Sequence, residues 1–217
     1  MSIRKVSFAF GEFYHLYNRG NSKQVIFHNH EDYSHFVKLI YLSNDKDNLN
    51  LRYINENFYN QTNQNKLVNI GAYCLMPNHF HLLITQTEEG SISKFMQKLS
   101  TAYSMYYNKK YERTGSLFEG KFKSKHIDND IYFKYLFSYV HLNPVKLIQK
   151  DWKEVGIKNK SGALIFLNEY KYSSYLDYLG IKRDENIVIN RGVFPDYFSS
   201  EEKFQKEIFE WLSYKDF

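Results

Sequence analysis

Two histidines separated by one residue, His79 and His81, lie in the apolar segment HFHLLITQ. Alternate side chains of a β-strand project from the same face, so both imidazoles share one face while Phe80 packs on the other. Two imidazoles about 7 Å apart along a strand can converge on one divalent cation. The bare pattern is weak evidence, because a chain with eight histidines yields such a triplet by chance roughly 0.3 times. A pair of partly exposed structural histidines is the competing interpretation.

A tyrosine and an asparagine form the second candidate element, in the segment YVHLNP. Tyr139 and Asn143 are four residues apart, which stacks them on one face of a helix. A tyrosine hydroxyl, with an ordinary pKa of about 10, is a poor nucleophile at neutral pH unless its surroundings assist it. Because the chain contains 20 tyrosines, and one on a helix is usually a core or surface residue, the spacing alone does not identify a site.

Four further histidines and the single cysteine are expected to lie outside the site. His28 and His30 form a second histidine pair, which we expect in the entry turn of a helix. His126 and His141 are interpreted as structural side chains. Cys74 is interpreted as a buried small hydrophobe. As the only cysteine it excludes an intramolecular disulfide and a Cys-rich zinc site.

Composition limits the class of protein. The 217 residues include 29 Lys and Arg against 24 Asp and Glu, which gives a net charge of +5 and a pI near 9.0. This modest basic excess is compatible with a phosphate-bearing partner. A hydrophobic fraction of 43% is enough for a core and excludes a largely disordered chain. No apolar run approaches the roughly 18 residues of a membrane helix, and no secretory signal is recognisable, so we expect a cytoplasmic protein without a membrane partner.

Hydrophobic periodicity predicts strands and helices that would position these residues. Strands are expected at 13–19, 66–77, 79–86 and 122–128, and helices at 32–40, from a cap at Ser91, and from about 128–130 to Pro144. Residues 44–65 are rich in Asn and Gln and are interpreted as a loop or insertion, although Leu51 and Phe58 would suit a short helix. The element order predicts an α+β fold, a ferredoxin-like antiparallel sheet with helices packed on one face.

Several segments together resemble one family, the single-tyrosine HUH transposases of the insertion-sequence type, and within it the REP-associated tyrosine transposases. The matching segments cover roughly residues 10 to 150 in the family's order and include YHLYNRG (14–20), the helix 32–40, CLMPNHFHLLI (74–84), RTGSLFEGKFKS (113–124) and YLFSYVHLNPVK (135–146). MPNHFHLL and YVHLNPVK are highly specific. They turn the histidine pair and the tyrosine into candidates for one active site.

The resemblance implies a role for each of these side chains. It implies His79, His81 and Asn143 as ligands of a divalent metal, Mg²⁺ or Mn²⁺, and Tyr139 as the nucleophile. The implied substrate is single-stranded DNA with hairpins or repeats, cut to leave a 5′-phosphotyrosine and a free 3′-OH. Two alternatives stay open: a non-catalytic or domesticated single-stranded nucleic-acid-binding protein acting at repeats, and a metal-dependent hydrolase that uses the histidines without a covalent intermediate.

Basic and aromatic residues near the RTGSLFEGKF segment are candidates for DNA binding. A strand could be held by charge and stacking through Arg113, Lys121, Lys123 and Lys125 with Phe118 and Phe122. Arg19, in the NRG turn, is a similar candidate. Solvated basic residues above a core phenylalanine are the alternative. The segment 115–121 also resembles a nucleotide-binding P-loop, but Phe122 stands where Ser or Thr must bind Mg²⁺, so ATP binding is rejected.

The chain is expected to divide at about residue 150. Residues 1–150 would form the catalytic domain and 151–217 a C-terminal extension with the apolar patches ALIFL and EIFEWL. The tyrosines of the extension are interpreted as packing residues, with base stacking as the alternative; they are Tyr170, Tyr172, Tyr175 and Tyr178. About a dozen residues separate the strand 122–128 from Tyr139, short enough for the helix to return to its own sheet. A monomer with a cis site is therefore favoured over a homodimer.

Overall fold

The computed structural model describes residues 8–47, 65–198 and 200–210. The strands are β1 (Phe13–Arg19), β2 (Val68–Met76), β3 (His79–Gln86) and β4 (Lys123–Ile127), and the helices are α1 (His30–Ser43), α2 (Ser91–Lys110), α3 (Asp130–Leu142), α4 (Trp152–Val155), α5 (Lys160–Glu169), α6 (Tyr175–Tyr178) and α7 (Glu201–Glu207). Short 3₁₀ segments occur at Asn21–Lys23, Asn143–Leu147, Asp184–Val188 and Arg191–Val193. Most of the Asn/Gln-rich segment, with Leu51 and Phe58, lies outside the described residues.

The strands form one antiparallel sheet with the spatial order β2-β3-β1-β4. Together with the chain order β1-α1-β2-β3-α2-β4, this is the ferredoxin-like arrangement, and the predicted α+β fold class is confirmed. The predicted strand at 13–19 has the bounds of β1. The central position of β3 and β1 matters for the site, because it sets the histidines of β3 beside β1 along seven paired residues.

Helices α1 and α2 cover one face of the sheet. Their apolar side chains repeat at helical spacing and pack with Leu16 and Ile84 of the strands into a fully buried cluster. Asn29 caps α1 by accepting a hydrogen bond from the backbone N–H of Asp32 at 3.2 Å. The predicted cap of α2 at Ser91 is wrong. Gly90 holds that position with φ +77°, in the left-handed region that glycine adopts without a Cβ clash.

The opposite face is covered as well. The expectation that helices pack on one face of the sheet holds for α1 and α2 but not for the whole fold. Helix α3 and the extension pack there on Ala72, Leu83 and their neighbours in a second buried cluster. The physical reason is visible in β2 and β3, whose residues are buried almost without alternation. Such continuous apolar strands require cover on both faces. The second face is therefore where α3 meets the strand histidines.

The described part of the extension shares this second core with α3. Its patches ALIFL and EIFEWL contribute Leu167 and Ile208, both fully buried. The hydroxyls of Tyr170 and Tyr178 donate to backbone carbonyls of β2 at 2.5 and 2.8 Å, and Tyr175 is fully buried. Their interpretation as packing residues is confirmed, whereas the domain division at residue 150 stays a prediction.

The fourth of these tyrosines, Tyr172, stacks on Tyr33 of α1 with ring centroids 3.9 Å apart. Tyr172 is therefore also a packing residue, although it packs against the cluster under α1 and α2. None of the described helices is both long enough and apolar enough to pass through a bilayer.

Candidate active site

The histidine pair occupies the start of β3, directly after the turn at Pro77 and Asn78. His79 and His81 lie on the face of α3 with ring centroids 5.0 Å apart, while Phe80 is fully buried in the core beneath α1 and α2. The alternation predicted from the sequence is confirmed. His79 Nδ1 lies 2.6 Å from the side-chain oxygen of Asn78. An amide oxygen can only accept, so Nδ1 carries the proton and Nε2 keeps its lone pair.

A third histidine, His15 of β1, completes the group and was missed by sequence reasoning. Its Nε2 lies 2.8 Å from Nδ1 of His81, and the two rings stack with centroids 5.0 Å apart. Both residues are 6% exposed. The alternation in YHLYNRG puts His15 on the same face of β1 as Tyr17, but the pairing of Tyr17 with His81 is given only by the strand register.

Helix α3 brings the tyrosine and the asparagine to the same place. Asn129 caps the helix by accepting from the backbone N–H of Tyr132 at 2.7 Å, and a 3₁₀ turn begins at Asn143 before Pro144. The ring of Tyr139 meets that of His81 edge-on, with centroids 5.6 Å apart. Asn143 Nδ2 lies 3.5 Å from His81 Nε2. All four residues singled out in the sequence therefore meet at one point.

Burial keeps the imidazoles neutral. Desolvation lowers the pKa of His15 to about 3 and the pKa of His79 to about 4, and it lowers the pKa of His81 well below its ordinary value. The nearby ammonium of Lys153 acts in the same direction on His15 and His81. Near neutral pH all three rings are in the form that binds metal ions.

Tyr139 is a phenol under the same conditions. Desolvation raises its pKa, and the side chain of Asn143 opposes that rise. The hydroxyl therefore keeps its proton in the absence of a bound phosphate and cation. Any reaction at this oxygen needs a partner that stabilises the charge it acquires.

The donor atoms fit a divalent cation. Within the described residues no group of three His, Cys, Asp or Glu side chains is arranged to hold a metal ion, so a site here needs a further ligand type. Asn143 supplies it: the residue is 2% exposed, and its buried Oδ1 has no hydrogen-bond partner. A buried polar atom without a partner is costly, and an amide oxygen together with imidazole nitrogens forms a mixed donor set for a divalent metal ion.

The DNA-binding candidates differ in their surroundings. Arg19 pairs with Glu119 in a two-pronged contact, with Nη2 at 2.9 Å from Oε1, which ties β1 to the loop before β4. Lys121 and Lys123 are exposed. The guanidinium of Arg113 lies 5.5 Å from the ring centroid of Tyr107.

The surroundings of Phe118 do not suit the expected stacking of its ring on a DNA base. It is 5% exposed, and its ring packs edge-on against Phe80 with centroids 5.9 Å apart. The ring face that a base would need is covered, because the apolar loop residue fills the core between the sheet and α2. The structure thus favours the core interpretation of Phe118.

The four histidines interpreted as lying outside the site have other partners. His141 is fully buried, with Nδ1 at 2.9 Å from the carbonyl oxygen of Phe137 and Nε2 at 2.8 Å from Ser174 Oγ. His28 and His30 are exposed and contact tyrosine hydroxyls, and His126 contacts Glu12.

Two further expectations from the sequence are also met. Cys74 is fully buried, as predicted. The segment 115–121 runs from a helix into a strand, the reverse of a P-loop, which agrees with the rejection of ATP binding.

Comparisons with known proteins identify the family. The family model for IS200-like transposases matches residues 14–143, which span β1 to Asn143 and more than half of the chain. A solved structure of a REP-associated tyrosine transposase bound to a REP hairpin superposes with a TM-score of 0.49 and 13% identity, covering 90% of this chain and 89% of that one. No curated protein matches the chain at a significant level. On the evidence of the family model, the chain is a transposase and belongs to the IS200-like transposase family.

Proposed function

We propose that this transposase is a metal-dependent DNA strand transferase that cleaves single-stranded, hairpin-bearing DNA by attack of Tyr139. The observation that carries the proposal is the placement of the Tyr139 ring 5.6 Å from the His81 ring, with the unpartnered Asn143 oxygen one helical turn away. A helical tyrosine used only for packing needs no such oxygen beside it. The resemblance of residues 10–150 to REP-associated transposases supports the choice of hairpins or repeats as substrate.

Metal binding falls to His79, His81 and Asn143. A divalent cation held there, Mg²⁺ or Mn²⁺, supplies Lewis acidity that polarises the scissile phosphate. His15 orients one ligand: Nδ1–H of His81 donates to Nε2 of His15, so the lone pair of His81 Nε2 faces Asn143. Such hydrogen bonds from the outer nitrogen fix both the tautomer and the ring direction of a ligating histidine.

The covalent step is a transesterification. Tyr139 Oη forms a bond to phosphorus as the bond from phosphorus to the 3′ oxygen breaks, and the leaving oxygen takes up a proton while the tyrosine hydroxyl gives one up. The products are a 5′-phosphotyrosine and a free 3′-OH. One phosphoester is exchanged for another, so the step can be reversed to join strands.

Affinity for DNA comes from the basic candidates of the sequence. Exposed Lys121 and Lys123 contact phosphates, and Arg19 and Arg113 contribute from more restricted positions. Because only two residues link β4 to α3, the helix that carries Tyr139 stays beside its own sheet, and we propose a monomer with a cis site.

The test is a covalent adduct. The protein is incubated with labelled single-stranded hairpin oligonucleotides and Mn²⁺, and SDS-resistant complexes are scored on a denaturing gel. Wild type and the matched control Tyr172→Phe should form the adduct, and Tyr139→Phe should not. Cleavage that survives in Tyr139→Phe would identify a hydrolase that activates water. Binding without cleavage in wild type over a Mg²⁺ and Mn²⁺ titration would identify a non-catalytic binding protein.

A further inference from the structure

The C-terminal extension reaches the candidate active site through α4. Trp152 is 2% exposed, and its ring centroid lies 6.1 Å from that of Tyr139. The next side chain, Lys153, places Nζ 5.0 Å from the ring centroid of Tyr139. Both residues follow Asn143, where the match to the family model ends. The extension therefore places a lysine ammonium beside Tyr139, at a position that lies outside the segment matched by the family model.

Lys153 lines a cleft of about 310 Å³ together with the catalytic candidates. Its other lining residues are His15, Tyr17, His81, Lys125, Tyr132, Tyr135, Leu136 and Tyr139. No carboxylate is among them, whereas two lysines are, so the lining carries positive charge and no negative charge. A cleft with this charge favours an anion, and in a DNA strand transferase that anion is a phosphodiester.

The two lysines are not equivalent. Lys125 Nζ lies 4.1 Å from the ring centroid of Tyr132, whereas Lys153 lies over Tyr139 itself. Among the residues that the structure describes, no carboxylate lies within ion-pairing distance of Lys153. Its ammonium is therefore available to a ligand, while Trp152 anchors the backbone of α4 against the tyrosine ring.

We propose that Lys153 binds a non-bridging oxygen of the scissile phosphate and that the extension thereby completes the active site in cis. The inference rests on the proposed function of Tyr139. In the transition state, negative charge builds on the phosphoryl oxygens, and a preorganised cation next to them lowers the barrier. Lysine suits the task because its ammonium is a compact point charge on a flexible stem. Lys153 would contact the phosphate from its position over the Tyr139 ring, and the metal ligands would approach it from β3.

The first experiment compares Lys153→Ala, Lys153→Arg and the control Lys160→Ala, an exposed lysine of the same extension. Single-turnover cleavage at saturating hairpin DNA should fall on the order of 100-fold in Lys153→Ala, recover in part in Lys153→Arg, and stay at the wild-type rate in Lys160→Ala. The Kd for DNA should change by less than about threefold, since one phosphate contact among several is lost. An equal rate for Lys153→Ala and wild type would overturn the inference.

The second experiment separates phosphate binding from a packing role beneath Tyr139. A methylphosphonate at the scissile linkage removes the charged oxygen, and its two diastereomers are assayed separately. Wild type should lose activity on the diastereomer that lacks the lysine-bound oxygen. On that substrate, Lys153→Ala should cleave at the same rate as wild type. If Lys153→Ala lowers the cleavage rate by the same factor on both diastereomers as on unmodified DNA, the proposal is overturned. If wild type forms no adduct with any substrate, the proposed function of Tyr139 has failed instead.

Discussion

His15 Nε2 and His81 Nδ1 lie 2.8 Å apart, so two buried imidazoles on adjacent strands share one hydrogen bond. The proton on that bond decides which nitrogen of His81 is free to bind a metal, because a neutral imidazole has one donor and one acceptor. With the proton on His81 Nδ1, its Nε2 faces Asn143. The relationship makes His15 a positioning residue for His81.

The first prediction concerns this positioning. His15→Phe keeps a ring in the strand but removes the acceptor, so the Kd for Mn²⁺ should rise about 10- to 100-fold. His15→Gln, whose amide oxygen can accept from His81 Nδ1–H, should restore part of the affinity. Calorimetric titration of Mn²⁺ into the DNA-free protein measures both. An unchanged Kd in His15→Phe, with the circular dichroism spectrum of wild type, would contradict the role.

The second prediction concerns the strand histidines. His79→Ala or His81→Ala should abolish adduct formation but leave most of the DNA affinity, because Lys and Arg contacts to phosphates supply most of it. The matched control is His28→Ala, which removes an exposed imidazole on the other side of the sheet. Gel assays of cleavage and filter binding at fixed salt measure the two quantities. A His79→Ala protein as active as wild type over a Mg²⁺ titration would remove the metal site from the mechanism.

The third prediction concerns the pH dependence of stability in the metal-free protein. Burial lowers the pKa of His15 to about 3 and of His79 to about 4, whereas both titrate near 6.5 when unfolded. Below that value these imidazoles are protonated in the unfolded chain but stay neutral in the folded chain. Stability is therefore full above about pH 6.5 and declines as the pH falls toward 4.

Each such imidazole can contribute up to about 1.4 kcal/mol per pH unit inside that window. Urea unfolding at pH 6 and pH 5 should therefore give a smaller difference in His15→Gln than in wild type. His30→Gln, at an exposed position, serves as the control and should keep the wild-type difference. Equal differences in all three proteins would mean that His15 is not buried as a neutral group.

Much of this site followed from the sequence because it depends on local periodicity. The period of two in a strand placed His79 and His81 on one face, and the spacing of four in a helix stacked Tyr139 over Asn143. His15 could not be found this way, since its contact to His81 crosses between strands 66 residues apart in sequence. Only the strand order brings them together.

The face on which α3 packs was also within reach of the sequence, yet it was not predicted. Phe80 faces the core under α1 and α2, so a helical tyrosine that meets His81 has to approach from the other side. The uninterrupted apolar run of β2 carried the same information. By contrast, the approach of Lys153 to Tyr139 depends on the path of the extension, which no periodic pattern encodes.

The fourth prediction concerns the form of the DNA. The exposed basic candidates, Lys121 and Lys123, lie in the loop before β4 and at the start of β4, not on a helix that could enter a groove. Single strands and hairpin ends should therefore bind more tightly than blunt duplex of the same length. Filter binding of the three forms at one salt concentration checks this. A clear preference for blunt duplex would contradict the proposed substrate.

The last prediction concerns whether one chain makes a whole site. Tyr139 of α3 meets His81 of the same chain, and only Asp128 and Asn129 connect β4 to α3. Trp152 of the extension also packs against Tyr139, so moving α3 to a partner's sheet would separate the extension from the core that it shares with α3. These contacts favour a cis site. A mixture of His79→Ala and Tyr139→Phe should therefore stay inactive in the adduct assay, even after co-refolding at high concentration. Restored cleavage would require a site shared between chains, and sedimentation of the active mixture would then reveal the dimer that makes it.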